Sequence, residues 1–189
     1  MKFFTRFLMF YALFSLLLFA AGCTTTWIST ATGILQALIP AISALLATLG
    51  TIGVPAAVLT AFTTWSTKAT QALTAVQALV ASYNTAEASA QPGILGEIDS
   101  ALTATIDDFE SILSTVNVTD SKTQALWTQL ATDFSAEGKA LLNLIPVAQG
   151  EVTEHDEVVK RLNALKSAKN FRKQFNSDLK AGGWQSHAI

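Results

Sequence analysis

Cysteine is nearly absent from this 189-residue chain: the one thiol, Cys23, excludes an intramolecular disulfide framework. Histidine occurs twice, at His155 and His187, so the commonest base for activating a nucleophile is in short supply. There is no Gly-x-Ser-x-Gly elbow, and Gly138-Lys139-Ala140 lacks the upstream glycine and the following Ser or Thr of a phosphate-binding loop. Neither dinucleotide-binding nor kinase motifs occur. Charge is scarce as well. With 14% charged and 50% hydrophobic residues, the composition excludes a highly charged disordered tail, and a formal charge of -2 implies no overall attraction to nucleic acid. These absences lead us to expect a protein without enzymatic activity, cofactor, metal or nucleic-acid partner. The length suits one domain of about 100 to 200 residues.

What is present begins with an address. Lys2 and Arg6 precede an uncharged run from Phe7 to Ala21, made mostly of Phe, Leu and Ala. A permanent membrane span needs roughly 20 apolar residues, so this run is short for one and has the layout of a secretory signal. Phe19-Ala20-Ala21-Gly22-Cys23 follows, and there the chain resembles the lipobox of bacterial lipoprotein precursors. Ala20 departs from the family pattern, which prefers Leu three residues before the cysteine. The resemblance covers residues 1–23 and no family is recognised beyond them. It implies that the Cys23 thiol becomes a diacylglyceryl thioether carrying palmitate-type chains, that residues 1–22 are removed, and that the protein stays at the cell envelope outside the cytoplasm. Thr24 is not the aspartate that retains such proteins at the inner membrane, so in a host with two membranes the periplasmic side of the outer membrane is implied. Ordinary signal cleavage and an uncleaved anchor are the other readings of these residues.

Beyond Cys23 the charges are segregated. No charged side chain occurs from Thr24 to Thr67, thirteen acids against Lys122 and Lys139 occupy Glu87 to Glu157, and seven cations against Asp178 occupy Lys160 to Lys180.

Apolar residues recur every three or four positions almost throughout, the period of one helix face. Val58, Phe62, Trp65, Ala69, Ala72, Val76, Leu79 and Tyr83 form one seam, beginning just after Pro55. Leu95, Ile98, Leu102, Ile106, Phe109, Leu113 and Val116 form a second, after a break at Gln91-Pro92-Gly93. A third starts near Asp120 or Ser121 as N-cap and runs through Trp127, Leu130, Phe134, Leu141 and Leu144 until Pro146 interrupts it. The last opens at Thr153-Glu154-His155-Asp156, continues through Val158, Leu162, Leu165, Ala168, Phe171, Phe175 and Leu179, and ends at Gly182-Gly183. No strand-like alternation of useful length occurs. The expected fold is all-α, an antiparallel bundle of about four to five helices: signal at 1–22, lipidated Cys23 and a short tether at 23–32, bundle at 33–181 and tail at 182–189.

Three features remain as candidate sites. Ala31 to Phe62 is uncharged and contains Gly33, Pro40, Gly50, Gly53 and Pro55. It reads as a core helix from about Gly33 to Leu49 followed by a turn at Gly50 to Pro55, or as a membrane-inserting hairpin of holin-like or pore-forming type. Lys166, Lys169, Arg172 and Lys173 share one broad side of the last helix, opposite Phe171, Phe175 and Leu179, and are candidate contacts for a polyanion or lipid headgroups. Pairing with the acidic helices of the same chain is the competing role for these cations. Glu151 with His155, and Asp107-Asp108 with Glu110, suggest metal ligation and acid-base work. Two ligands make a poor metal site, however, and adjacent residues on a helix point about 100° apart. The expectation is therefore a membrane-tethered, non-catalytic structural or partner-binding bundle with an envelope partner. The alternatives are a membrane-inserting protein and a carrier holding lipid or another apolar ligand between its helices.

Overall fold

A computed structural model describes residues 2–149 and 169–189, with side chains described at 27–146, 148–149 and 169–189. The described residues form an all-α bundle without strands. Its helices are α1 (Lys2–Ile52), α2 (Ala56–Tyr83), α3 (Gln91–Leu113), α4 (Ser121–Leu142), the single turn α5 (Ile145–Ala148) and α6, described over 169–181, followed by a 3-10 turn at Gln185–His187. Helix α1 packs against α2 and α4, and α3 packs against the same two, so α1 and α3 occupy opposite corners of a four-helix bundle.

The turn chemistry explains where the helices stop. Gly53 takes φ 72°, in the left-handed region, and turns the chain out of α1. Pro55, with φ -54° and ψ 142°, then sits just ahead of α2, where its missing N–H costs nothing. Asp120 caps α4: its Oδ2 accepts the Thr123 amide at 2.7 Å, and hydrogen bonding from the Thr123 side chain, together with that amide, holds the carboxyl below the usual carboxylate range. Gln124 ties the preceding loop to the same helix, its Oε1 accepting from the Val118 amide at 2.7 Å. At the end of α6 the Gly183 amide donates to the Lys180 carbonyl at 3.1 Å and the Trp184 amide to the Leu179 carbonyl at 2.7 Å, with Gly183 at φ 80°. This is a Schellman stop.

Two breaks fall elsewhere than proline suggested. Gln91 and Pro92 are not a break but the first residues of α3, and the chain turns instead between Asn84 and Ala90. A proline in the first turn removes only a donor that would have had no helical partner. Pro146 lies inside α5, while α4 has already ended at Leu142.

Among the described side chains the core is one cluster, which includes Trp27. Phe62, Trp65, Phe109, Trp127 and Phe134, from α2, α3 and α4, interlock with ring centroids 4.8 to 6.0 Å apart, mostly edge to face. The Trp65 indole N–H donates to the Thr105 carbonyl at 3.1 Å, which fixes the register of α2 on α3. Helix α1 supplies the aliphatic side of the core with Ile34, Leu35, Leu38, Ile42, Leu45 and Leu49, together with buried Ala31, Ala37, Ala41 and Ala44 that let its neighbours approach closely. Most of the expected seams are buried. On α2, however, Val58, Ala72 and Leu79 are only half-buried, and Leu73 and Val80 are buried beside them. The apolar stripe that contacts two neighbours is wider than one row of residues.

Core and tether also divide differently than at Gly33. Helix α1 runs through Gly33 unbroken, and Trp27, Thr30 and Ala31, inside the stretch assigned to the tether, are buried. An isolated Gly costs a helix only about 1 kcal/mol. The Trp27 ring packs edge-on against Tyr83 at 5.0 Å, and Tyr83 in turn donates its hydroxyl to the Ala148 carbonyl at 3.3 Å, closing that end of the bundle. The C-terminal tail is held as well: Asn176 Nδ2 donates to the Ile189 carbonyl and Asn176 Oδ1 accepts the Ile189 amide, both at 2.8 Å.

Candidate functional site

The basic edge is built on α6. Phe171, Phe175 and Leu179 point inward and are buried, which turns Lys169, Arg172 and Lys173 to the surface, where all three are exposed. The Phe171 and Phe175 rings lie 5.2 Å apart and seat the helix. Lys166, grouped with these cations in the sequence, lies outside the described residues, as do Glu151, His155, Lys160 and Arg161.

Arg172 does more than face solvent. Its guanidinium donates to the backbone carbonyl of Gln36 in α1 at 3.4 Å. Gln36 is four residues before Pro40, which lies inside α1 and has no N–H to offer that carbonyl. An arginine of α6 thus supplies a donor where the proline of α1 removed one. Nothing in the apolar periodicity of either helix pointed to this bond, because it joins residues 136 apart.

On its other side α6 meets α4. Asp133, Ala136 and Glu137 of α4, with Asn170, Phe171, Lys173 and Gln174 of α6, line an open cavity of about 410 Å³. Glu137 is almost wholly buried. Burial pushes the Asp133 carboxyl above the usual carboxylate range and the nearby Asp178 adds to the effect, while the Gln129 amide, donating to Asp133 Oδ1 at 2.8 Å, pulls the other way. Gln174 donates to both oxygens of Asp178, at 3.0 and 3.1 Å.

The acidic residues gather elsewhere. Glu97, Asp99, Asp107 and Asp108 are exposed along α3. Glu110 pairs with Lys139 of α4 at 2.6 Å, the ion pair found among the described residues. Both partners are exposed, so it adds at most about 1 kcal/mol. Among the described residues no group of three or more His, Cys, Asp or Glu side chains is placed to hold a metal ion.

The uncharged segment is placed in the bundle. Trp27–Ile52 is long and apolar enough by composition to cross a membrane, with mean hydropathy 1.8 in its most apolar window, yet 56% of that window is buried against the other helices. Its outer side forms an open groove of about 550 Å³ with α2, lined by Ile42, Ser43, Leu46, Ala47, Ser66, Thr67, Thr70 and Gln71. Cys23 lies on the α1 backbone one turn before Trp27, and its side chain is outside the described ones.

Comparison with known proteins adds no relative: no family model, no curated protein and no solved structure matches the chain.

Proposed function

We propose that the protein is an envelope lipoprotein: a helical bundle tethered to a membrane through acyl chains on Cys23, acting without catalysis as a structural or partner-binding element. The observation that carries this reading is the arrangement of Lys2 and Arg6, the apolar run Phe7 to Ala21 and the small residues before the sole cysteine. Each buried methylene of an acyl chain adds about 0.8 kcal/mol, so two or three chains make a durable anchor. The position of the core supports the reading. Trp27 lies four positions after Cys23, about 6 Å of helix, so the anchor would hold the bundle close to the lipid rather than on a long leash. In a two-membrane host the site is the periplasmic side of the outer membrane, and the partner is another envelope component.

Burial of the 27–52 segment favours a core role over insertion of the uncharged stretch as a hairpin, because inserting it would expose Phe62, Trp65 and Phe109 on the remaining helices. A carrier role has less support, since the grooves are open and the space between the helices is filled by aromatic rings. The test is mass spectrometry of the matured N-terminus together with metabolic labelling by palmitate. Diacylglyceryl on an N-terminal Cys23, absent in Cys23→Ser, supports the proposal. An intact Met1 or a bare thiol at Cys23 refutes it.

A further inference from the structure

We propose that the bundle lies on its side against an anionic lipid surface, with Lys169, Arg172 and Lys173 at the headgroups, α1 alongside them, and the acidic face of α3 turned away. The inference rests on the lipid anchor at Cys23 and adds an orientation and a lipid chemistry to it.

The described charges are divided across the bundle. Helix α3 carries exposed Glu97, Asp99, Asp107 and Asp108, and α1 occupies the opposite corner. Helix α6 lies over α1 and α4, joined to α1 by Arg172 and lining a cavity with α4. The exposed positions of α1 among its described side chains are Ser29, Gln36, Pro40, Ser43, Gly50 and Thr51, all uncharged. A face whose exposed charges are cations along one edge, the Asp133 and Asp178 carboxylates beside them being half-buried, and whose other edge has no carboxylate can approach anionic headgroups with little like-charge repulsion. The α3 face cannot.

Axial position decides between upright and side-on. Helices α1 and α6 run in the same sense: Arg172 reaches Gln36, and further along Gly182 and Trp184 line a cavity with Thr51, Ile52 and Gly53. Gln36 is thirteen residues beyond Cys23, about 20 Å along the helix. In an upright bundle the cations would stand about that far above the headgroups, more than two Debye lengths of about 8 Å at physiological salt, and their attraction would be screened. Lying flat, the same 20 Å runs parallel to the membrane and all three cations reach it. Each then tightens the contact roughly fivefold, from about 1 kcal/mol per cation near such a surface.

The full chain, anchored in phosphatidylcholine vesicles with or without added phosphatidylglycerol, tests this by lysine footprinting. A water-soluble acylating reagent is applied and each lysine is read by mass spectrometry, with Lys122 and Lys139 as internal references. The expected result is at least a threefold loss of Lys169 and Lys173 reactivity on the phosphatidylglycerol vesicles, restored near 1 M salt, where the Debye length falls to about 3 Å. Lys169→Gln with Lys173→Gln, both surface changes, should abolish a matching protection of α1 amides in hydrogen exchange. Equal reactivity on both vesicle types overturns the proposal, as does protection that appears only with an acidic envelope protein added. Flotation with phosphatidylcholine vesicles reports the anchor separately, so a failed anchor and a failed orientation give different results.

Discussion

Replacing Pro40 by Ala should stabilise the protein and, in the same step, make Arg172 less important. Pro40 lies inside a 51-residue helix, so its ring removes the donor for the Gln36 carbonyl and crowds the preceding turn. An interior proline costs about 3 kcal/mol relative to alanine, of which about 0.4 to 1 kcal/mol is returned by its smaller unfolded-state entropy. The bond from Arg172 at 3.4 Å is long and exposed, so it recovers no more than about 1 kcal/mol. The expected net gain for Pro40→Ala is about 1 to 2 kcal/mol. For a chain of this size that is a rise of about 2 to 8 °C in Tm by helical circular dichroism of the purified protein. In a double-mutant cycle, Arg172→Met should cost about 0.5 to 1 kcal/mol in the wild type and close to nothing beside Pro40→Ala, because the restored amide at position 40 then serves the Gln36 carbonyl. A loss of stability in Pro40→Ala would refute the account of the proline. Equal Arg172→Met costs in both backgrounds would show that Arg172 does not compensate for it.

Phe62 is fully buried and meets Trp65, Phe109 and Trp127, so Phe62→Ala should cost about 3 to 5 kcal/mol in urea unfolding; a loss below 1 kcal/mol would mean that this cluster is not the centre of the core. At Gly183, φ 80° penalises any side chain by about 1 to 2 kcal/mol, and at Gly182 a Cβ would lie 2.4 Å from the Trp184 ring, so Gly183→Ala and Gly182→Ala should each lower Tm and raise hydrogen exchange at Trp184. Burial raises the Asp133 pKa, so its ionised form costs stability above the folded-state value and the cost vanishes below the unfolded value of about 4. Asp133→Asn should therefore be more stable than wild type at pH 7 and lose that advantage as the pH falls through the carboxylate range; an advantage that grows on acidification would reverse the assignment.

The sequence was legible where one segment holds the whole cause. The helices announce themselves by a three-and-four spacing, and Asp120 and Gly182-Gly183 carry the chemistry of a cap and a stop within a few residues. Proline misled twice, since Pro92 opens α3 rather than separating it from α2 and Pro146 lies inside α5, after α4 has already ended. A proline's effect depends on which carbonyl it deprives and on what else can reach that carbonyl.

By itself the sequence determined the helical class and the partition of charge along the chain, because each follows from composition or short-range period. Tertiary structure alone decided that α1 and α3 occupy opposite corners, that Trp27 belongs to the core, and that Arg172 serves a carbonyl 136 residues away. Amphipathic period shows that a helix has an inner face, but not which neighbour that face meets. Only packing brings the uncharged helix and the basic one to the same side of the molecule.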